Sequence, residues 1–179
     1  MKPLKLTMRA FGPYKGEEII DFTKLENHRL FVISGKTGAG KTTIFDGIAF
    51  ALYGSGSGSD RKDQKSLRSQ FADDRVHTAV ELLFEVHGKT YRVLRQLPHV
   101  KKGRKTATGE DYAFFEIGPN GEELKVVERQ KAKEINAKIE EIIGLTYDQF
   151  NQIIMLPQGE FRKLLTSQTE NKEAILRKI

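Results

Sequence analysis

The chain has 179 residues, 38% hydrophobic and 30% charged, enough for one domain with an ordinary core and too few for a multidomain machine. Thirty Lys and Arg against 24 Asp and Glu give a formal charge of +6, which favours anionic partners and moves phosphate-bearing ligands up the order of candidates. Cysteine is absent, which removes disulfides, thiolate nucleophiles and zinc–sulfur sites; no run approaches the roughly 20 apolar residues of a bilayer span, and none resembles a signal segment, so the expectation is a soluble, cytoplasmic protein with no membrane partner.

The opening third alternates short apolar runs with turn signals, predicting strands at Leu4–Phe11, Ile19–Phe22 and Leu30–Ser34. The last is continuously apolar until Ser34 and stops at a glycine, as in a strand buried on both faces. Lys41–Tyr53 then carries Ile44, Ile48, Ala51 and Leu52 at helical spacing and predicts an amphipathic helix. Gly54-Ser55-Gly56-Ser57-Gly58-Ser59 ends it and reads as a flexible surface loop or an engineered linker. Thr78–Val86 and Thr90–Leu97 meet at His87-Gly88-Lys89 as a hairpin, and a further strand at Tyr112–Ile117 closes on Pro119-Asn120-Gly121. Lys131–Ile143 places Ile135, Ile139, Ile142 and Ile143 on one helical face, Gly144 stops it, and Thr146 caps a short helix through Phe150. Phe161–Ile179 is polar, helix-favouring and without a stop signal, which reads as the start of a longer element.

Gly35-Lys36-Thr37-Gly38-Ala39-Gly40-Lys41-Thr42 matches G-x-x-x-x-G-K-[ST], and Thr43 follows. The glycines let the backbone curl until successive N–H groups converge on phosphate oxygens, and the helix that follows adds its positive end. Lys41 is placed to reach the β- and γ-phosphates of a nucleotide, and the Thr42 hydroxyl to ligate the accompanying Mg²⁺. The bland alternative is a tight strand-to-helix turn with a solvated lysine; the apolar run before and the helix after favour the phosphate loop.

An NTPase of this kind also needs a carboxylate closing an apolar strand after the loop. Ile19-Ile20-Asp21 precedes the loop, and Val126-Val127-Glu128 has too short a run. Ser55–Ser59 superficially resembles a serine-glycine signature, without its hydrophobic lead-in. The chain carries the nucleotide-binding half of a site and lacks the hydrolytic half.

Three segments together resemble the N-terminal half of an SbcC-type DNA repair ATPase head, related to SMC proteins: Lys5–Tyr14 with its Phe11-Gly12-Pro13-Tyr14 turn through Ile20-Asp21-Phe22; Phe31–Asp46 with Ala51-Leu52-Tyr53-Gly54; and Met155-Leu156-Pro157-Gln158-Gly159-Glu160-Phe161. The resemblance implies an α/β P-loop NTPase of the ABC/SMC type, with a mixed sheet, an antiparallel β patch and the start of a coiled coil. Residues 1–165 would form the N-terminal lobe, with the phosphate loop at 35–42 and a Q-loop around 158, and residues 166–179 the root of the coil. It implies nucleotide binding by Gly35, Lys36, Thr37, Gly38, Ala39, Gly40, Lys41, Thr42 and Thr43, with Lys41 and Gln158 as catalytic groups and Thr42 and Gln158 toward Mg²⁺. Taken alone, Pro157-Gln158-Gly159 also reads as a plain turn. Arg68-Ser69-Gln70-Phe71 resembles the region that approaches the nucleotide base.

As implied partners, the resemblance gives the C-terminal half of the same head, a second head across ATP, an SbcD-type nuclease and double-stranded DNA. Lys101, Lys102, Arg104 and Lys105, near Arg92, Arg95 and His99, form a basic run suited to sequence-blind phosphate contacts; a solvated loop is the alternative. The four histidines have no paired ligand spacing, and Phe11 and Tyr14 suit core packing better than base stacking.

The phosphate loop gives a nucleotide-binding half-site, and the resemblance implies that it is the ATP-binding half of the head of a double-strand-break repair or hairpin-processing ATPase. It would dimerise on ATP and control a nuclease, and the fragment alone would not be competent for hydrolysis. Two other readings stay open: the nucleotide-binding half of another SMC-like or transport-type ABC ATPase, and a nucleotide-gated DNA-binding module without its own turnover.

Overall fold

Period-two patterning builds the sheet. In the computed structural model, which describes residues 1–25, 31–57 and 64–153, six strands run β1 (Lys2–Arg9), β2 (Glu17–Asp21), β3 (Ala79–Val86), β4 (Lys89–Gln96), β5 (Asp111–Ile117) and β6 (Glu123–Lys125). Their spatial order is β2-β1-β3-β4-β5-β6, and each neighbouring pair is antiparallel. Register aligns Ile20, Leu6, Leu82, Val93 and Phe114 across five strands on one face. Leu6, Leu82, Val93 and Phe114 are fully buried there. Phe84, Tyr91 and Phe114 pack with ring centroids 5.6–6.5 Å apart, and each buried aromatic contributes about 2–3 kcal/mol of apolar transfer. On the opposite face Arg92 joins Glu81 of β3 (2.7 Å) to Glu123 of β6 (2.6 Å).

The β3–β4 turn is two residues long, His87 (φ 51) and Gly88 (φ 75), with Val86 opposite Lys89. Left-handed backbone at both positions gives the primed turn whose twist matches the strands. Helix α1 (Lys41–Tyr53) has the bounds expected from its spacing and ends on Gly54, whose N–H donates to the Phe50 carbonyl. Helix α2 (Ala132–Ile143) buries Ile135 and Ile139 and stops at left-handed Gly144. Helix α3 (Tyr147–Ile153) opens with a capping box: the Gln149 N–H donates to Thr146 Oγ1 at 3.4 Å, and the Thr146 N–H to Gln149 Oε1 at 3.1 Å.

Three expectations need correction. Residues 31–36 form no strand, so among the described residues the sheet is antiparallel throughout rather than mixed. An apolar run becomes a doubly buried strand only where neighbours pair with it, and no described strand lies alongside; Val32 is 86% exposed. Secondly, α1 is not amphipathic along its length: from Asp46 to Tyr53 each residue is buried, because the sheet, α2 and α3 all pack on it. Thirdly, the Gly-Ser run is no surface linker as far as Ser57. Gly54, Gly56 and Ser57 are buried, the Asp46 carboxylate accepts from both the N–H (3.0 Å) and the hydroxyl of Ser57, and the Gly56 carbonyl accepts from the Tyr147 hydroxyl. Small side chains here serve close packing between α1 and α3. Strand β6 is an addition that its polar composition did not announce.

The buried cation Arg95 ties these layers together. It occupies an inward position of β4, donates to the carbonyls of Ala51 (2.7 Å) and Leu52 (2.8 Å) at the end of α1, and donates to Asn136 Oδ1 of α2 at 2.6 Å. Burial lowers its pKa to about 10. The negative end of α1 takes the place of a carboxylate counter-ion.

Candidate phosphate-binding site and basic loop

Gly40 makes the start of α1 unusual. It stands in the left-handed region (φ 86) at the N-cap, no side chain caps the helix, and the first turn holds no acidic residue. The first N–H groups of a helix have no intrahelical acceptors and normally attract a Ser, Thr or Asp cap. Here that end is left open to an anion. Gly38 is also left-handed (φ 84), and residues 34–39 are exposed. The Lys41 ammonium curls back over the loop, donating to the carbonyls of Gly35 (2.7 Å) and Lys36 (2.8 Å). The Ala39 N–H closes the turn on the Lys36 carbonyl at 3.1 Å.

The structure thus brings Gly35, Lys36, Thr37, Gly38, Ala39, Gly40, Lys41, Thr42 and Thr43 into one curled loop and helix start. Thr42 is exposed in the first turn, and its hydroxyl is a hard oxygen of the kind Mg²⁺ prefers, so the donor set fits a metal held jointly with phosphates. Thr43 differs: it is buried, and its N–H donates to the Gly40 carbonyl at 3.0 Å. Gln158, the Q-loop around it and the coil root at 166–179 lie outside the described residues.

Sequence reasoning missed the brace behind the loop. The Phe11-Gly12-Pro13-Tyr14 turn lies against it: a Cβ on Gly40 would stand 2.5 Å from the Tyr14 hydroxyl and 3.0 Å from Pro13 Cγ, and a Cβ on Gly12 would stand 2.6 Å from Thr43 Cγ2. The Tyr14 hydroxyl donates to the Gly40 carbonyl at 3.2 Å, and partial burial raises its pKa. Phe11 is core, packed on Phe50 at 5.8 Å. The turn is anchored in its own right, since the Gly12 N–H donates to the Leu67 carbonyl and the Ser69 N–H to the Ala10 carbonyl. The Gly-Pro pair before Tyr14 signalled a turn; only tertiary structure shows what it touches.

Arg68 is committed to structure, donating to the carbonyls of Val76 (2.7 Å) and Asp73 (3.0 Å) and to Thr78 Oγ1 (3.2 Å). Phe71, by contrast, is 73% exposed. Of the basic run, Lys102, Arg104 and Lys105 are exposed and Lys101 is half-buried. The three neighbours named with it are not free for phosphate: Arg92 is paired with two glutamates, Arg95 is buried under α1, and His99 contacts Asp74. Among the described residues, no group of three metal-binding side chains occurs and no helix is long and apolar enough to cross a membrane.

The AAA domain family model matches residues 5–179. The C subunit of the SbcCD nuclease from Staphylococcus aureus strains MRSA252, JH9 and Newman is 41% identical over 179 residues, 99% of this chain. The chain spans 17% of the length of these relatives. An open, glycine-capped helix start with its lysine, carried in a sequence that the family model covers almost end to end, identifies a P-loop NTPase fold: the chain belongs to the AAA domain family and is similar to the SbcC component of the SbcCD nuclease.

Proposed function

We propose that this chain is the ATP-binding N-terminal lobe of an ABC/SMC-type ATPase head, residues 1–165, leading into a coiled-coil root at 166–179. The head would act in DNA double-strand-break repair or hairpin processing, dimerise on ATP and control an SbcD-type nuclease. The observation that carries the reading is the uncapped start of α1, with Gly40 left-handed and Lys41 lying over the loop carbonyls. The similarity to the SbcC component of the nuclease narrows the class.

ATP supplies the phosphates on which the loop closes. The main-chain N–H groups from Thr37 to Thr43 would bind and orient them, those of Ala39 and Thr43 on turning from the Lys36 and Gly40 carbonyls, and the Lys41 ammonium leaves its two carbonyls to stabilise charge on the β- and γ-phosphates. Thr42 would hold Mg²⁺, with Gln158 as a second ligand. The carboxylate that positions water is assigned to the C-terminal half of the head, and ATP binding would draw two heads together. Lys101, Lys102, Arg104 and Lys105 would contact the duplex backbone with little sequence preference.

An ATPase assay on the 179-residue chain, with and without a co-produced C-terminal half, tests this. Turnover only in the assembled head, abolished by Lys41→Ala, is the expected result. Turnover by the isolated chain that Lys41→Ala abolishes would overturn the half-site reading. A second reading, a nucleotide-gated DNA-binding module, is favoured by the exposure of Lys102, Arg104 and Lys105 and predicts duplex binding without turnover in either sample.

A further inference from the structure

A cationic loop between strands gains little from its charges if it must first be ordered, because each residue fixed on binding costs conformational entropy. The basic run avoids much of that cost. At its base His99 and Thr108 exchange backbone hydrogen bonds at 3.0 and 3.1 Å, and Gln96 donates to the Gly109 carbonyl. At its tip left-handed Gly103 allows the Arg104 N–H to reach the Lys101 carbonyl at 2.9 Å. The remaining restraint comes from a different segment. Asp74 pairs through Oδ1 with His99 Nε2 at 2.7 Å and accepts the Lys102 backbone N–H on Oδ2 at 2.7 Å. One carboxylate therefore grips both the foot of the loop and the middle of the basic run.

The segment bearing Asp74 is itself fixed. Arg68 donates to the carbonyls on either side, at Asp73 and Val76, and the Val76 N–H donates to the Asp73 carbonyl at 3.0 Å. Residues 67–69 bond to Ala10 and Gly12, and Gly12 lies against Thr43 of the phosphate-loop helix. Hydrogen bonds and packing run without a break from the start of α1 to the basic loop.

We propose that Asp74 is a docking post for the basic loop: it touches no nucleic acid, and it orders Lys101, Lys102, Arg104 and Lys105 so that they meet a polyanionic backbone together. This rests on the reading of that loop as the duplex contact. It also makes a prediction whose sign is opposite to simple electrostatics. Deleting an acid beside four cations raises the local positive charge and should strengthen polyanion binding, whereas loss of a docking post should weaken it.

The test is fluorescence anisotropy of a labelled blunt DNA duplex with the full chain assembled with the rest of its head, across a salt series. Asp74→Ala is expected to weaken binding about three- to tenfold. Asp73→Asn, which removes the adjacent negative charge while its amide oxygen can still accept the Arg75 backbone N–H, makes the same charge change without touching the loop and should bind as tightly or more tightly. His99→Asn removes one tether and no acid, and serves in the same way should Asp74→Ala fail to fold. Replacement of Lys101, Lys102, Arg104 and Lys105 by Ala should weaken binding and flatten the salt slope by about 0.9 for each phosphate no longer neutralised. If the fourfold variant weakens binding while Asp74→Ala or His99→Asn matches or exceeds the wild type, the docking post is wrong and the DNA reading stands. If the fourfold variant binds like the wild type, the DNA reading falls and the post with it.

Discussion

The antiparallel sheet and the segment from Phe31 to Gly40 treat the same materials in opposite ways. In the sheet, β1, β3, β4 and β5 are paired on both edges, and the inward side chains at their centre, Leu6, Met8, Val80, Leu82, Phe84, Val93 and Phe114, are fully buried. In the segment, an equally apolar run forms no strand, Phe31 and Val32 face solvent, and the glycine-rich turn after it is exposed. The sheet is where this chain gathers its stability, and the segment is where it keeps backbone N–H groups and a lysine available. Binding and catalytic sites are commonly loops held by a rigid scaffold, and the Phe11–Tyr14 turn is the piece of scaffold that reaches this one. Under the proposed reading, the exposed apolar residues before the loop are covered when the other half of the head docks.

That division can be broken at several points. Lys41→Ala should lower ATP turnover of the assembled head by at least about a hundredfold while leaving the thermal midpoint unchanged, because the carbonyls it releases lie on exposed residues open to water; a large drop in midpoint would show that the loop is also structural. Arg95→Met is the mirror case. It strands the buried Ala51 and Leu52 carbonyls and removes the partner of the half-buried Asn136 amide, and should cost about 3 kcal/mol, read as a fall of about 6–12 °C in calorimetry, with nucleotide affinity per folded molecule retained. Tyr14→Phe sharpens the boundary between the two regions. Losing only the bond to the Gly40 carbonyl should weaken nucleotide binding about fivefold in titration calorimetry, with little change in midpoint.

The smallest effect concerns acid. His77 is held below its ordinary pKa of 6.5 by burial first, then by Lys101, His99 and Arg68. The unfolded chain takes up that proton more readily, so the contribution of neutral His77 is complete above about pH 6.5 and is lost as pH falls below it. Midpoints measured from pH 7 to pH 5 should therefore fall less in His77→Phe than in the wild type. An equal fall would show that His77 is not the group responsible.

The features legible in the sequence were those set by local rules. The bounds of α1 follow from its periodicity and its two flanking glycines, the β3–β4 turn from His87-Gly88-Lys89, and the cap of α3 from Thr146, to which the structure adds the return bond of Gln149. The phosphate loop was legible because backbone curvature itself demands glycine, whatever surrounds it. What failed depended on neighbours. Leu30–Ser34 reads as a buried strand only if partners exist, and Gly54–Ser57 reads as a linker only if composition outweighs packing. Arg95, grouped by sequence with the basic run, is hard to read for a related reason. Its position, two residues beyond Val93 and two before Leu97, assigns it to the inner face, whereas its charge alone argues for the surface. Gln158 rests on resemblance alone.

The His87-Gly88 turn has a practical consequence. Register places it at the Lys2 end of β1, whereas the turn that braces the phosphate loop follows Arg9 at the other end, so the two are separated by the length of the sheet. Both residues are exposed, and a Cβ on Gly88 meets nothing within 4 Å. A fluorophore or affinity tag spliced in at that tip would report on the molecule from a distance, without trespassing on either anion-facing loop.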